Sequence, residues 1–332
     1  VNWFKANRKY IIIFSILLSL ELVFLYYPLN YIVYHGGQAT DLAPYVQVQD
    51  GDQDDEGVLY MLSIFTSKAN GALWLRAKFD DNMDLKPIET VMPSDMTMEE
   101  YNEQMRKNMD DSQKKATLLA LRAAGIPVEV EGGGLIINEF TETSLMKDIL
   151  QKGDIIKRFE DRAMLLNEDL QRLLLQHQPG DEVSLLVERE NQLLEIKGVL
   201  SQDESGKAKL GIYIAPTPWE LLHERVINFQ NEEIGGGSAG MMLTLEILNQ
   251  LLEEDITRGF KIAGTGTIRL DGSIGPIEGV KQKLHAAEEQ GASYFLVAEE
   301  NSEAARSYAT SIEVVPVARL EEALAFLQSL TP

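Results

Sequence analysis

The chain has no cysteine at all. Disulfides, thiolate nucleophiles and cysteine-ligated zinc are therefore excluded. Histidine is nearly as scarce. The four, His35, His177, His223 and His285, show no HExxH and no paired spacing, so neither a metal centre nor a histidine base is expected. No GxxxxGK[ST] motif occurs, so the chain carries no phosphate-binding loop of an ATPase. Basic residues are few beside acidic ones, 30 against 52, for a formal net charge of −22. That balance argues against nucleic acid or anionic lipid as the main partner of the bulk of the protein. No cofactor is expected.

What is present begins with length and apolar content. The 332 residues, 45% of them hydrophobic, suffice for two or three domains with sizeable cores. One stretch draws the rest together: Gly235-Gly236-Gly237-Ser238-Ala239-Gly240, followed by the mostly apolar run Met241 to Leu252. It reads as a tight loop entering a helix. Free N–H groups and the positive dipole end gather there. Three uses fit that geometry: a nucleophile whose product is an oxyanion, a phosphate site, or a turn with a serine cap.

At the other end, residues 1–9 carry Lys5, Arg8 and Lys9, and residues 10–27 form an apolar run interrupted by Ser15, Ser19 and Glu21. Its length is close to the ~20 residues that span a bilayer. The basic flank predicts a cytoplasmic tail at 1–9, a transmembrane helix at 10–27 and an extracytoplasmic bulk. Tyr26, Tyr27, Tyr31 and Tyr34 are expected at the outer interface. The rival is a cleaved signal peptide, with small residues from Gly36 to Ala39 as a cut site.

Beyond the anchor, Val46–Gln49 and Val58–Phe65 flank the acidic turn Asp50–Gly57 and read as a hairpin. The turn lacks the spacing of a calcium loop. Met98 to Ala124 is helical by content and stops at Gly125-Ile126-Pro127.

Residues 126–205 then form a module of their own. Gly132-Gly133-Gly134 leads into the strand Leu135–Phe140. Gly153-Asp154-Ile155-Ile156, a helix over 167–177, and Gly180-Asp181-Glu182 running into Val183–Arg189 follow. This order resembles a bacterial PDZ domain, with Lys152 departing from the family's Leu or Pro. The resemblance implies an extended peptide added as a strand. The expected groove lies between Leu135–Phe140 and the helix 167–177, with Gly133, Gly134, Leu135 and Ile136 as peptide-binding residues. The alternative is a packing-only domain.

After the serine stretch, Ile262-Ala263-Gly264-Thr265-Gly266-Thr267 leads through an Asp271-Gly272 turn to Gly275-Pro276-Ile277-Glu278-Gly279-Val280-Lys281-Gln282-Lys283. Gly-Ser-Ala-Gly followed by Thr-Gly-x-Ile and then Gly-Pro-Ile-x-Gly-x-Lys resembles the Lon-type serine protease domain. Lys281 follows Ser238 by 43 residues, the interval of that family. The resemblance implies a Ser238/Lys281 dyad, with Thr265 holding the lysine and the backbone N–H of Ala239 in the oxyanion hole. Lys283, two positions on, is expected to be solvated.

The resemblance further implies an α/β (α+β) fold: a protease domain of 44–124 and 208–332 with the PDZ domain inserted, behind one transmembrane helix. That layout looks like the ATP-independent Lon-like proteases of Gram-positive bacteria. The expected activity is endopeptidase cleavage of peptides or flexible protein segments outside the cell membrane. Homo-oligomers are expected only because Lon-type domains often form rings. Three departures stand out: Gly237 replaces a proline, Glu278 a glycine and Gly235 an acidic residue. A carboxylate at 278 pointing inward would raise the lysine pKa; it is expected to point outward. The competing function is a non-catalytic peptide-binding adaptor on a degenerate protease fold. A glycine-rich anion-binding module is a third.

Overall fold

The computed structural model describes residues 7–52, 56–93, 96–230 and 234–331. The tail before Asn7, and the middle of the acidic turn at 53–55, lie outside those residues. The chain divides into two compact units, Val1–Ile126 with Arg225–Pro332, and Pro127–Glu224. The two arms of the first unit thus flank the second in sequence.

The first unit is built on a six-stranded sheet in the order Glu313–Val317, Tyr294–Ala298, Lys261–Thr265, Val58–Asn70, Pro28–Asp41, Met83–Pro87. The first four run parallel to one another, and the last three pair antiparallel. The helix Gly240–Leu251 is buried along almost its whole length. It therefore reads apolar all round, and the polar residues it carries must find internal partners. Gln250 does so. Its Oε1 accepts from the Val48 N–H (2.9 Å), and its Nε2 donates to Val46 O (2.8 Å) and Glu246 Oε1 (2.7 Å).

The helix Met98–Ala123 starts at a capping box, where Thr97 and Glu100 satisfy each other's backbone N–H groups. Its second half packs on the buried helix. The expected hairpin does not form. Val46–Val48 pairs with Ile227–Phe229, and Val58–Asn70 pairs with Pro28–Asp41. Tyr34 likewise lies inside the protein, at 5% exposure, and not in an outer belt. The helix Arg8–Tyr26 has no buried residue and is long and apolar enough to cross a membrane.

The second unit has a five-strand path, Gln192–Val199, Glu182–Arg189, Ile155–Phe159, Leu135–Phe140, Ile212–Pro216. Its core gathers Leu135, Ile137, Ile156, Phe159, Leu170 and Leu185. The unit runs to Glu224, past the expected end at 205, because Ile212–Pro216 completes this sheet.

Candidate active site

Ser238 sits in a single 3-10 turn, Gly237–Ala239, that opens into the buried helix. The turn is held from two sides. From the helix Met98–Ala123, Met105 O accepts the Gly236 N–H (2.7 Å), and Ser112 Oγ donates to Gly237 O (3.3 Å). From the end of the strand Lys261–Thr265, the Gly266 N–H and Thr265 Oγ1 both donate to Ser238 O (2.8 and 3.1 Å). Gly240 is fixed by close approach. A methyl there would fall 2.7 Å from both Ile268 Cγ2 and Ser112 Oγ, which no side chain tolerates without displacement.

The lysine comes from the helix Val280–Glu289, whose N-cap Gly279 adopts φ 73°. Lys283, not Lys281, reaches the serine. Its Nζ lies 2.8 Å from Ser238 Oγ and donates to Thr265 Oγ1 (3.0 Å). Lys281 points elsewhere: its Nζ is 3.8 Å from Asp84 Oδ1 and 5.6 Å from the Tyr308 ring centroid. The reason is helix phase. Residues two apart project about 200° apart around a helix, and Val280, Lys283, Leu284 and Ala287 share the buried stripe. Lys281 therefore does not take the role expected of it.

Burial sets the chemistry of this amine. Lys283 is 3% exposed. Loss of hydration disfavours its charged form and lowers its pKa to about 7, against a smaller upward pull from Glu278. Glu278 itself is solvent-exposed, yet its charge also helps to raise Tyr34 and Tyr101, both pushed up chiefly by burial. The carboxylate thus opposes neutralisation of the lysine from outside the site. Replacing it should remove that opposition. Glu278→Gln is expected to shift the rising limb of a pH–activity profile toward lower pH; an unchanged or upward-shifted limb would contradict this electrostatic account.

Thr265 orients the amine. Its hydroxyl proton is committed to Ser238 O, so it turns a lone pair to Lys283 and accepts an N–H. That leaves the lone pair of neutral Nζ for the Ser238 hydroxyl proton. Ala239 closes the 3-10 turn, in which the Gly240 N–H returns to Gly237 O. Among the described residues no cluster of His, Asp and Glu fit to hold a metal is present.

The expected peptide residues of the second unit are also rearranged. Leu135 and Ile136 pair with Ile156 and Ile155 on one side and with Pro216 and Ala215 on the other. Gly133 N–H donates to Pro218 O (2.9 Å), Gly134 O accepts from Thr217 N–H (2.9 Å), and Lys157 Nζ donates to Gly133 O (2.8 Å). A peptide can add only to an unpaired edge, so Gly133, Gly134, Leu135 and Ile136 are not that edge. The sheet ends at Ile212–Pro216, which packs beside the helix Asn167–Leu174.

Comparison with known proteins agrees with this architecture. Residues 233–328 match the Lon protease (S16) C-terminal proteolytic domain. Residues 123–198 match the PDZ domain. The chain combines a PDZ domain with a Lon-type proteolytic domain in one mixed α/β protein. A curated relative, a Lon protease of Azorhizobium caulinodans, is 34% identical over 93 residues, 27% of this chain and 11% of the relative. The chain therefore spans about a tenth of the relative's length. Among solved structures, the PDZ domain of an SdrC-like protein from Listeria innocua is 21% identical. It covers 24% of this chain and 92% of that one, with a TM-score of 0.24. The Listeria monocytogenes counterpart is 18% identical, covering 24% and 86%, with a TM-score of 0.24.

Proposed function

We propose that the protein is a membrane-anchored serine endopeptidase in which Lys283 activates Ser238, and that it cleaves peptides or flexible protein segments outside the membrane without ATP. The observation that carries the reading is the 2.8 Å approach of Lys283 Nζ to Ser238 Oγ, made by an amine whose burial keeps it near neutrality.

The steps follow from that pair. Neutral Nζ takes the Ser238 proton as Oγ bonds to the scissile carbonyl carbon, whose oxygen becomes an oxyanion. The ammonium then returns the proton to the leaving amine as the C–N bond breaks, leaving an ester on Ser238. A water gives its proton to Nζ, attacks the ester, and the serine recovers the proton on release of the acid. The oxyanion requires N–H donors aimed at it. The Ala239 N–H, next to the nucleophile at the entry of the buried helix, is the donor assigned to it in this reading.

A fluorophosphonate tests the nucleophile directly. Mass spectrometry is expected to find the adduct on Ser238 in the wild-type chain and a greatly slowed reaction in Lys283→Ala. A chain that binds peptide, leaves it intact and never reacts would instead be an adaptor.

In the PDZ unit, the terminal strand Ile212–Pro216, which pairs with Leu135–Phe140 and with no further strand among the described residues, is the place for an extended peptide. Hydrogen exchange measured with a saturating unstructured peptide should slow at residues 212–216. Slowing confined to 135–140 would overturn that assignment.

A further inference from the structure

The anchor helix does not end in isolation. Two residues after it, Pro28 begins a strand whose first pairing partner is Asn70. Asn70 caps the short helix Gly71–Ala77, its Oδ1 accepting from the Leu73 N–H (2.8 Å). Gly71 lies so close to the Phe24 carbonyl that a methyl there would overlap it. The short helix therefore starts beside the last turn of the apolar one.

Its two faces differ. Leu73 and Ala77 pack toward Val33, Ala69 and Met83. Leu75 is exposed, and Phe79, just beyond the helix, is 85% exposed. Tyr26 and Tyr27, at the end of the anchor, are 76% and 62% exposed. Trp74, on the same short helix, is half-buried, with Lys78 Nζ 5.4 Å from its ring centroid. Single exposed apolar residues are ordinary on soluble proteins. A group of aromatic and aliphatic side chains continuous with the end of an apolar span, with flexible cations beside it, is the composition of the bilayer interface.

We propose that Leu75, Phe79 and the neighbouring Trp74 form a second membrane contact, a lipid-docking element that enters the headgroup region beside the anchor and restrains the catalytic unit against the outer leaflet. This rests on the reading of Arg8–Tyr26 as a membrane span. The occupant is the lipid surface itself. The attachment of Gly71 to Phe24 places the element at the level where that span leaves the hydrocarbon.

The absence of cysteine makes the test direct, because one introduced thiol takes one label. Full-length Phe79→Cys, Leu75→Cys, Tyr27→Cys and Glu321→Cys are each labelled with an environment-sensitive fluorophore. Each is reconstituted into phosphatidylcholine vesicles with a nitroxide high on the acyl chain. Glu321 follows the strand at the opposite edge of the sheet from Met83–Pro87 and serves as the distant control. The labels at 79 and 75 are expected to lose at least half of their emission, as the label at 27 does, while that at 321 is unaffected. Quenching at 27 with none at 79 and 75 would overturn the docking element and leave the anchor standing. No quenching at 27, 75 or 79 would overturn both.

Discussion

Lys283→Met is expected to abolish peptide cleavage, lowering kcat/KM about 10⁴-fold or more, while Lys281→Met retains wild-type activity within a fewfold. The first substitution removes the amine that contacts the serine hydroxyl. The second removes a group engaged with Asp84 and Tyr308. Stability separates loss of the base from loss of the fold. Lys283 is depressed in the folded state relative to an unfolded lysine near ~10.4. Between those two values the unfolded chain binds more protons, so burial of the amine costs stability that diminishes as pH rises from about 7. Methionine of similar length carries no such cost. Lys283→Met should therefore melt at the same temperature as wild type or higher at neutral pH. An inactive variant that melts well below wild type would mean that the lysine holds the site together structurally, and equal loss in both lysine variants would remove the basis for choosing between them.

The second large effect belongs to the PDZ unit and is one of folding. Asp154 is 1% exposed at its side chain and is bound bidentately by Arg189, Nε to Oδ1 and Nη2 to Oδ2, each 2.7 Å. The same carboxylate accepts the Gln151 N–H (2.8 Å), and Arg189 also donates to Ile149 O (3.0 Å). Removing one partner leaves the other charge without a counter-ion in a dry setting, so Arg189→Ala is expected to destabilise this unit by about 3–5 kcal/mol. The exposed pair Lys152–Glu139 makes the comparison; Lys152→Ala should cost about 0–1 kcal/mol. The measurement is denaturant unfolding of the full chain, read as the separate transition of the PDZ unit. Similar small losses in both variants would mean that the Asp154 site is far wetter than its burial indicates.

Local patterns carried much of this architecture. The apolar run, the capped helix at 98, the glycine-rich entry to a buried helix and the strand order of 126–199 each depend on neighbouring residues and are visible in the sequence. What was hidden depends on long-range pairing. Val46–Val48 finds its partner at Ile227–Phe229, whereas alternation alone points to the nearest strand in sequence. Ile212–Pro216 lies beyond a polar stretch, yet it takes the edge of Leu135–Phe140 and moves the free edge outward.

The lysine is a different case, because its signal was present. An interval of 43 residues selects Lys281 only if every insertion between serine and lysine is absent. Helix periodicity was the stronger guide: counted from Val280, the positions 283, 284 and 287 fall on one stripe, and Lys283 is the charged residue on an otherwise apolar face. A charge in that position is costly unless it is neutral or used. Glu278 is exposed, but exposure does not confine a charge, and its field reaches the amine.

The pH dependence of kcat/KM for an unstructured peptide is the decisive test of neutral Lys283 as the base. Lys281→Met removes the neighbouring amine and should leave the profile intact. In both proteins activity should rise with pH through a single ionisation near 7, where Lys283 loses its proton. A limb near the ordinary lysine value of ~10.4, or one that moves when Lys281 is replaced, would contradict it.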